Sequence, residues 1–168
     1  MFYSSHRASQ DEYPRTSSHT LPVFLSQVLD GDTIVVSKEG LSRTIRLIGI
    51  KSFNPNSDQK SERFFATLAS EAIRRRIGNN PVTIITKGNS DRSGKLIARI
   101  EHEEQDLGAY LLEKGMVMLF PAFDFNELDF YQRQQSDAIK NNRGFWQDND
   151  LKKIALLKQK MWSKQNVK

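Results

Sequence analysis

The apolar and polar positions of this chain change their period more than once. From Leu21, LPVFLSQVLDGDTIVVSKEG reads as a strand, a turn at Asp30-Gly31 and a second strand of β-branched residues from Thr33 to Val36. A polar turn at Lys38–Gly40 leads into TIRLIGI, Thr44–Ile50, whose alternation predicts a third strand, and Asn54-Pro55-Asn56 then breaks the chain. From about Asp58 to Ile77 the spacing becomes three and four, placing Phe64, Phe65, Leu68, Ala72 and Ile73 on one helical face. Arg74–Arg76 followed by Gly78 gives that helix a basic last turn and a glycine stop.

PVTIITK and KLIARIE, joined by GNSDRSG, predict a hairpin. Leu107–Lys114 is a short helix stopped by Gly115, VMLF a brief extended run, and Glu127–Lys140 a helix that is apolar at Leu128, Tyr131 and Ala138. Trp146, in Arg143-Gly144-Phe145-Trp146, is expected to plug the interface between sheet and helices. Leu151–Gln165 predicts a last helix, with Leu151, Ile154, Leu157 and Met161 on one side. Strands come first, then helix, hairpin, helix, helix: an α+β fold built on a small five-stranded antiparallel barrel decorated with three helices.

Length and charge sharpen this picture. The 168 residues, 38% hydrophobic, suit one modest core, divided here into a polar leader (1–20), a domain (21–148) and a lysine-rich C-terminal helix (149–168). No run approaches the roughly 18–20 apolar residues of a membrane-spanning helix. The leader lacks the apolar region of a secretory signal, so an intracellular address is expected, its compartment open. With no cysteine there is no disulfide, thiolate cluster or cysteine nucleophile, and His6, His19 and His102 are too scattered for a histidine metal site. The net charge of +5 invites a polyanion partner, but six lysines and no acid fall in 151–168. The other 150 residues carry 19 basic against 20 acidic groups.

Several motifs then coincide in order: Val28-x-Asp30-Gly31-Asp32-Thr33, Ile45-Arg46-Leu47-Ile48-Gly49-Ile50, Asp91-x-x-Gly94-Lys95, Leu107-Gly108 with Gly115, and Arg143-Gly144-x-Trp146. From about Leu21 to Asp148 the chain resembles the staphylococcal nuclease (thermonuclease) family. The resemblance implies an OB-type barrel with three helices, whose active members cleave DNA and RNA phosphodiesters with calcium. A hard cation of that kind needs carboxylate oxygens. It polarises the phosphate while a carboxylate activates water and cationic groups stabilise the developing charge.

Carried over residue by residue, the family pattern puts the first metal carboxylate at Asp32, support for the metal's water shell at Asp30, and a phosphate-binding arginine at Arg46. The rest departs from it. Lys51 stands where the second metal aspartate belongs, Asn54 where the carboxylate assigned to water belongs, and Lys95 where a second arginine belongs. An ammonium at Lys51 is expected to pair with Asp32 in place of the metal. Asn54 cannot take a proton, a loss worth roughly 10²–10⁴ in rate, and Lys95 lacks the planar fork that grips phosphate twice. The site is therefore expected to be degenerate and to need no cofactor, calcium entering only if the alternative, an active nuclease with a rewired site, holds. Asp58 and Glu62 are the carboxylates near enough in sequence to rescue it.

A silent barrel could still bind. Arg46, Lys51 and Lys95 with Phe53 as a stacking platform, and Phe123 and Phe125 as further aromatics, are candidates for holding single-stranded nucleic acid, RNA or DNA. Each phenylalanine has core packing as its plainer reading, Arg74–Arg76 that of a charged helix end, and Asp30 and Asp32 that of turn residues. The tail either packs back on the domain, docks a protein partner through Leu151, Ile154, Leu157, Met161 and Trp162, or lies on an anionic membrane or nucleic acid. A purely structural protein–protein module is the third function class.

Overall fold

In the computed structural model, which describes residues 22–123 and 125–165, β1 (Val23–Asp30), β2 (Thr33–Lys38) and β3 (Leu41–Leu47) form an antiparallel meander. The expected leader, residues 1–20, lies outside the described residues. β2 and β3 are joined by Glu39-Gly40, both at positive φ (49° and 79°), the two-residue hairpin loop whose twist matches the strands. β5 (Pro81–Ile85) pairs with β1, β6 (Leu96–His102) with β5, and β3 pairs with β6 in parallel, which closes a barrel of five strands. Period-two alternation sends Ile34 and Val36, Ile45 and Leu47, and Leu96, Ala98 and Ile100 inward to one core. This is the expected α+β barrel, with four α-helices about it.

The third strand lies three residues earlier than its alternation suggested. It stops at Leu47, and Ile50–Lys51 form a separate strand, β4, paired with β8 (Met118–Leu119). Gly49 makes the break: its φ is +76°, and a Cβ there would lie 2.3 Å from the Phe125 ring. β4 therefore leaves the barrel and crosses to the helical side.

α1 (Lys60–Ile77) ends as its basic last turn and glycine imply, with the Gly78 amide donating to the Arg74 carbonyl at 2.8 Å. Its buried face is Phe65, Ala66, Ala69, Ala72, Ile73 and Ile77, while Phe64 is 57% exposed. Phe64 precedes Phe65 by one residue, a turn of about 100° that carries it out of the face. The arginine run is spent on contacts within the domain. Arg74 donates to the Val28 carbonyl, Arg75 pairs with Glu71, and Arg76 bonds Gln105.

α2 (Leu107–Glu113) follows the two-residue strand β7 (Gln105–Asp106), and α3 (Leu128–Lys140) buries Tyr131, Gln135 and Ala138. The Gly144–Gln147 turn sets Phe145 and Trp146 into a second core with Phe53, Phe65, Ala66, Met118 and Ala138. Phe145 meets the edges of Phe53 at 4.9 Å and Phe65 at 6.1 Å between ring centres. Trp146 is the expected plug, though its buried indole N–H has no hydrogen-bond partner among the described residues.

α4 (Asn149–Gln165) completes this second core with Leu151 and Ala155, helped by Ile154 and Trp162. Polar contacts fix its register. Lys158 reaches Glu62 at 3.2 Å, and Gln159 donates to the Leu119 carbonyl and to Gln135 at 2.9 Å each. Of the expected docking stripe, Leu151 is fully buried and Trp162 lies against Phe120, so neither faces outward. The stripe splits because the sector carrying Leu151, Ala155 and Trp162 packs on the domain, leaving Leu157 and Met161 in solvent. No described helix is long and apolar enough to cross a membrane.

Candidate functional site

The turn between β1 and β2 is the centre of the site. Asp30 ends β1 just after a register shift between Val28 and Asp30, and its carboxylate accepts the Asp32 amide at 2.9 Å. That bond holds a tight turn and points the Asp32 carboxylate inward, where it is 2% exposed. Gly31 is required at the apex, because a Cβ there would sit 2.6 Å from that of Ala69 on α1.

Three groups use up the Asp32 oxygens. Thr33 is the register partner of Arg46 across β2 and β3, so the Arg46 guanidinium arrives beside the turn and bonds Oδ1. The Thr33 hydroxyl donates to the same oxygen at 2.9 Å, and the Ser52 amide donates to Oδ2 at 2.8 Å. Burial pushes the Asp32 carboxyl up to about 6, against the pull of Arg46 and the Ser52 amide in the other direction, with nearby Asp30 adding to the rise. At neutral pH Asp32 is thus an anion already paired with a guanidinium that is itself largely buried.

Lys51 is not that partner. Among the described residues Asp32 makes its ion pair with Arg46, and the Lys51 ammonium lies 5.0 Å from the centre of the Phe120 ring and 5.7 Å from that of Trp162. The backbone explains the difference. The amide after Lys51, that of Ser52, faces Asp32, while the Lys51 side chain turns toward the aromatic pair supplied by the β8 end and α4. Cation–π contact takes the place of the expected salt bridge.

The remaining candidates scatter. Asn54 closes a turn of its own, accepting the Asn56 amide at 2.9 Å, and is exposed. Lys95 is half-buried and donates to Ser93 at 2.7 Å within the hairpin turn, where the Ser93 hydroxyl holds the Asp91 carboxyl below its ordinary range. Phe53 and Phe125 are buried, so neither offers a stacking face; only Phe123 remains partly open. Of the rescue carboxylates, Glu62 is buried and bound to Lys158, while Asp58 lies in an exposed turn before α1. Phe123 borders a groove of about 360 Å³ with Ile48, Ile97 and Phe125 at its apolar wall and Lys87 and Asn89 at its rim.

Nothing in the hydrophobic pattern or the motifs assigns Thr33, Ser52, Phe120 or Trp162 a contact in this site. Only the Thr33–Arg46 pairing carried a signal, in the spacing of the β2–β3 hairpin. The described residues form no group of three carboxylates or imidazoles that could hold a metal, and the buried Asp32 carboxylate already accepts from cationic and amide donors.

A family profile for staphylococcal nuclease homologues matches residues 44–148. The chain belongs to this family. Its sequence is 25% identical to the thermonuclease of Staphylococcus hyicus over 123 residues, covering 69% of this chain and 71% of that one. It is 22% identical to the thermonuclease of Staphylococcus intermedius over 130 residues, covering 74% and 75%. The matched span of this nuclease homologue runs from β3 through the Gly144–Gln147 turn, so the acidic turn and α4 flank it on either side.

Proposed function

We propose that this nuclease homologue is a catalytically silent domain that works as a protein-interaction module. The observation that carries the reading is the sealed Asp32. Its carboxylate already accepts from Arg46, Thr33 and the Ser52 amide, so a cation would have to displace those donors, and the Arg46 guanidinium spends its Nη1 on that carboxylate rather than on a phosphate. The replacements at Lys51, Asn54 and Lys95 point the same way, since none lends a carboxylate or a second guanidinium to the turn.

The nucleic-acid quartet expected from the sequence also loses its coherence. Phe53 is in the core, Arg46 is paired and Lys51 lies against the Phe120 and Trp162 rings, which leaves Lys95. One observation favours a second reading: the groove beside Phe123 has an apolar wall and a lysine rim, a shape that admits an unstacked base.

The deciding experiment incubates the pure protein with single-stranded DNA and RNA, in calcium and then in EDTA. No cleavage above the EDTA control is expected. Calcium-dependent cleavage abolished by Asp32→Ala overturns the silent reading, and salt-sensitive binding of either strand lost in Phe123→Ala favours the groove.

A further inference from the structure

α4 has two unequal faces. One is built into the second core; the other carries Leu157, 62% exposed, and Met161, 57% exposed, with Ile154 half-buried beside them. Ile154, Leu157 and Met161 are spaced by three and then four residues, the a-d-a pattern of a helix-pairing seam. At about 100° per residue they cover a sector of only about 60°. Lys153 and Lys160 form the flank next to Leu157, and Lys164 stands just past Met161 at the end of the ridge, all exposed. On the other flank Lys158 is held by Glu62. Between these flanks lies a shallow apolar hollow of about 350 Å³.

We infer that this seam docks an amphipathic α-helix of a partner protein, apolar at its own a and d positions and acidic along the edge that meets Lys153, Lys160 and Lys164. This deepens the interaction-module reading and rests on it. The sector is too narrow for a helix lying on a bilayer, which presents an apolar face of about 100° or more. A nucleic-acid backbone would leave Leu157 and Met161 without a partner, since phosphates do not bury them. A second copy of this chain is disfavoured by charge. Pairing the seam with itself, in either direction, sets lysines against lysines, because the flanks are Lys153 and Lys160 on one side and Lys158 on the other.

Acidic residues hardly answer this charge from within. Asp150 lies 3.8 Å from Lys153, an ion pair in which both side chains are largely exposed, and Glu62 is taken by Lys158. Lys164 stands at the next seam position after Met161, so the apolar contact ends there and the partner's register must bring a carboxylate opposite it. One lysine-flanked ridge of three apolar positions makes a small interface, suited to reversible docking rather than to a permanent complex.

The test uses the full chain and a labelled synthetic helix of about three heptads, with leucine at a and d and glutamate on the flanks. A control helix has lysine in place of every glutamate. Fluorescence anisotropy is expected to show saturable, salt-weakened binding of the acidic helix and none of the control. Lys153→Glu with Lys160→Glu and Lys164→Glu is expected to lower affinity about tenfold or more and to confer binding of the lysine helix. Leu157→Ser with Met161→Ser is expected to lower it about tenfold at every salt concentration. Both variants alter exposed side chains, and an unchanged urea midpoint shows that each is folded.

Absence of saturable binding overturns the inference, as does equal binding by the Leu157→Ser, Met161→Ser protein, which would reduce the effect to charge alone. Binding of phosphatidylserine vesicles or of a single-stranded oligonucleotide, lost in these variants while the acidic helix is ignored, overturns it in favour of those partners. The cleavage assay run on the same samples separates the two levels. A protein that neither cuts nor binds the helix refutes this inference alone, whereas one that cuts refutes the silent reading whatever the helix does.

Discussion

Glu62 of α1 and Lys158 of α4, 96 residues apart in the chain, meet at 3.2 Å. The carboxylate is 6% exposed and the lysine about a third, and the ammonium also lies 5.3 Å from the centre of the Phe53 ring. A buried carboxylate with a single cation as its ion-pair partner is costly to orphan. Lys158→Met is therefore expected to destabilise the fold by about 1–3 kcal/mol, the lower half of the range reflecting the lysine's partial exposure. Glu62→Gln in the same background should recover part of that loss. Urea unfolding of the four proteins in a double-mutant cycle measures the coupling, and strict additivity would remove the pair as a contributor.

Leu151 and Leu157 give the helix a paired test. Leu151 is fully buried and Leu157 is 62% exposed, on one helix six residues apart. Leu151→Ala is expected to cost about 2–4 kcal/mol and Leu157→Ala less than about 0.5 kcal/mol. Equal costs, read as shifts in urea midpoint, would mean that α4 presents a different face to the domain.

Asp32 sets a pH dependence of definite sign. Its carboxyl is pushed by burial from 3.8 to about 6, so the folded protein holds this proton more tightly than the unfolded chain does. The slope of stability with pH follows the difference in bound protons, and here the native state binds more of them. The stabilisation from this group is complete below pH 3.8, is lost as pH rises to about 6, and is level beyond. Carbon-detected NMR titration should find a midpoint near 6 at Asp32. Arg46→Met should move it higher, since the guanidinium is the main group pulling it down; a midpoint near 4 in the native protein would contradict the burial described here.

Gly144 and Gly40 both sit at positive φ, +56° and +79°, but in different surroundings. A Cβ on Gly144 would lie 2.1 Å from the Gly115 carbonyl oxygen and 2.5 Å from that of Lys114, whereas one on Gly40 would meet nothing within 4 Å. Gly40→Ala should cost about 1–2 kcal/mol, the left-handed penalty alone. Gly144→Ala adds a backbone clash and should cost at least about 2 kcal/mol more. Thermal melts that rank the two in the opposite order would place the close chain crossing elsewhere.

Periodicity revealed most of the frame because its causes are local. The β2–β3 hairpin, the closing glycine of α1 and the burial of Tyr131 and Ala138 on α3 all follow from neighbours within a few residues. Phe64 falls outside because the buried sector of α1 runs from Ala72 through Phe65 to Ile77, on the side away from it, a choice the surroundings of α1 decide. The chemistry of the turn was readable as composition: Asp32 present, Lys51 and Asn54 out of family pattern. Which cation meets Asp32 was not, because that depends on cross-strand register bringing Arg46 opposite Thr33 and on the twist that turns Lys51 to Phe120 and Trp162. The faces of α4 were likewise legible as an apolar stripe, yet which part of it packs inward is governed by Glu62, Gln135 and the Leu119 carbonyl, polar groups that no hydrophobic pattern reports.

The second core has a consequence for the order of events on the ribosome. Phe53 and Phe65 are synthesised nearly a hundred residues before Leu151 and Ala155, which complete the same core. The five-stranded barrel has all its strands by His102 and can close early, but those aromatic surfaces stay open until translation has passed α4. Through that interval the nascent chain exposes an adhesive patch beside a finished barrel, and a chaperone that shields aromatic surface has its natural moment there.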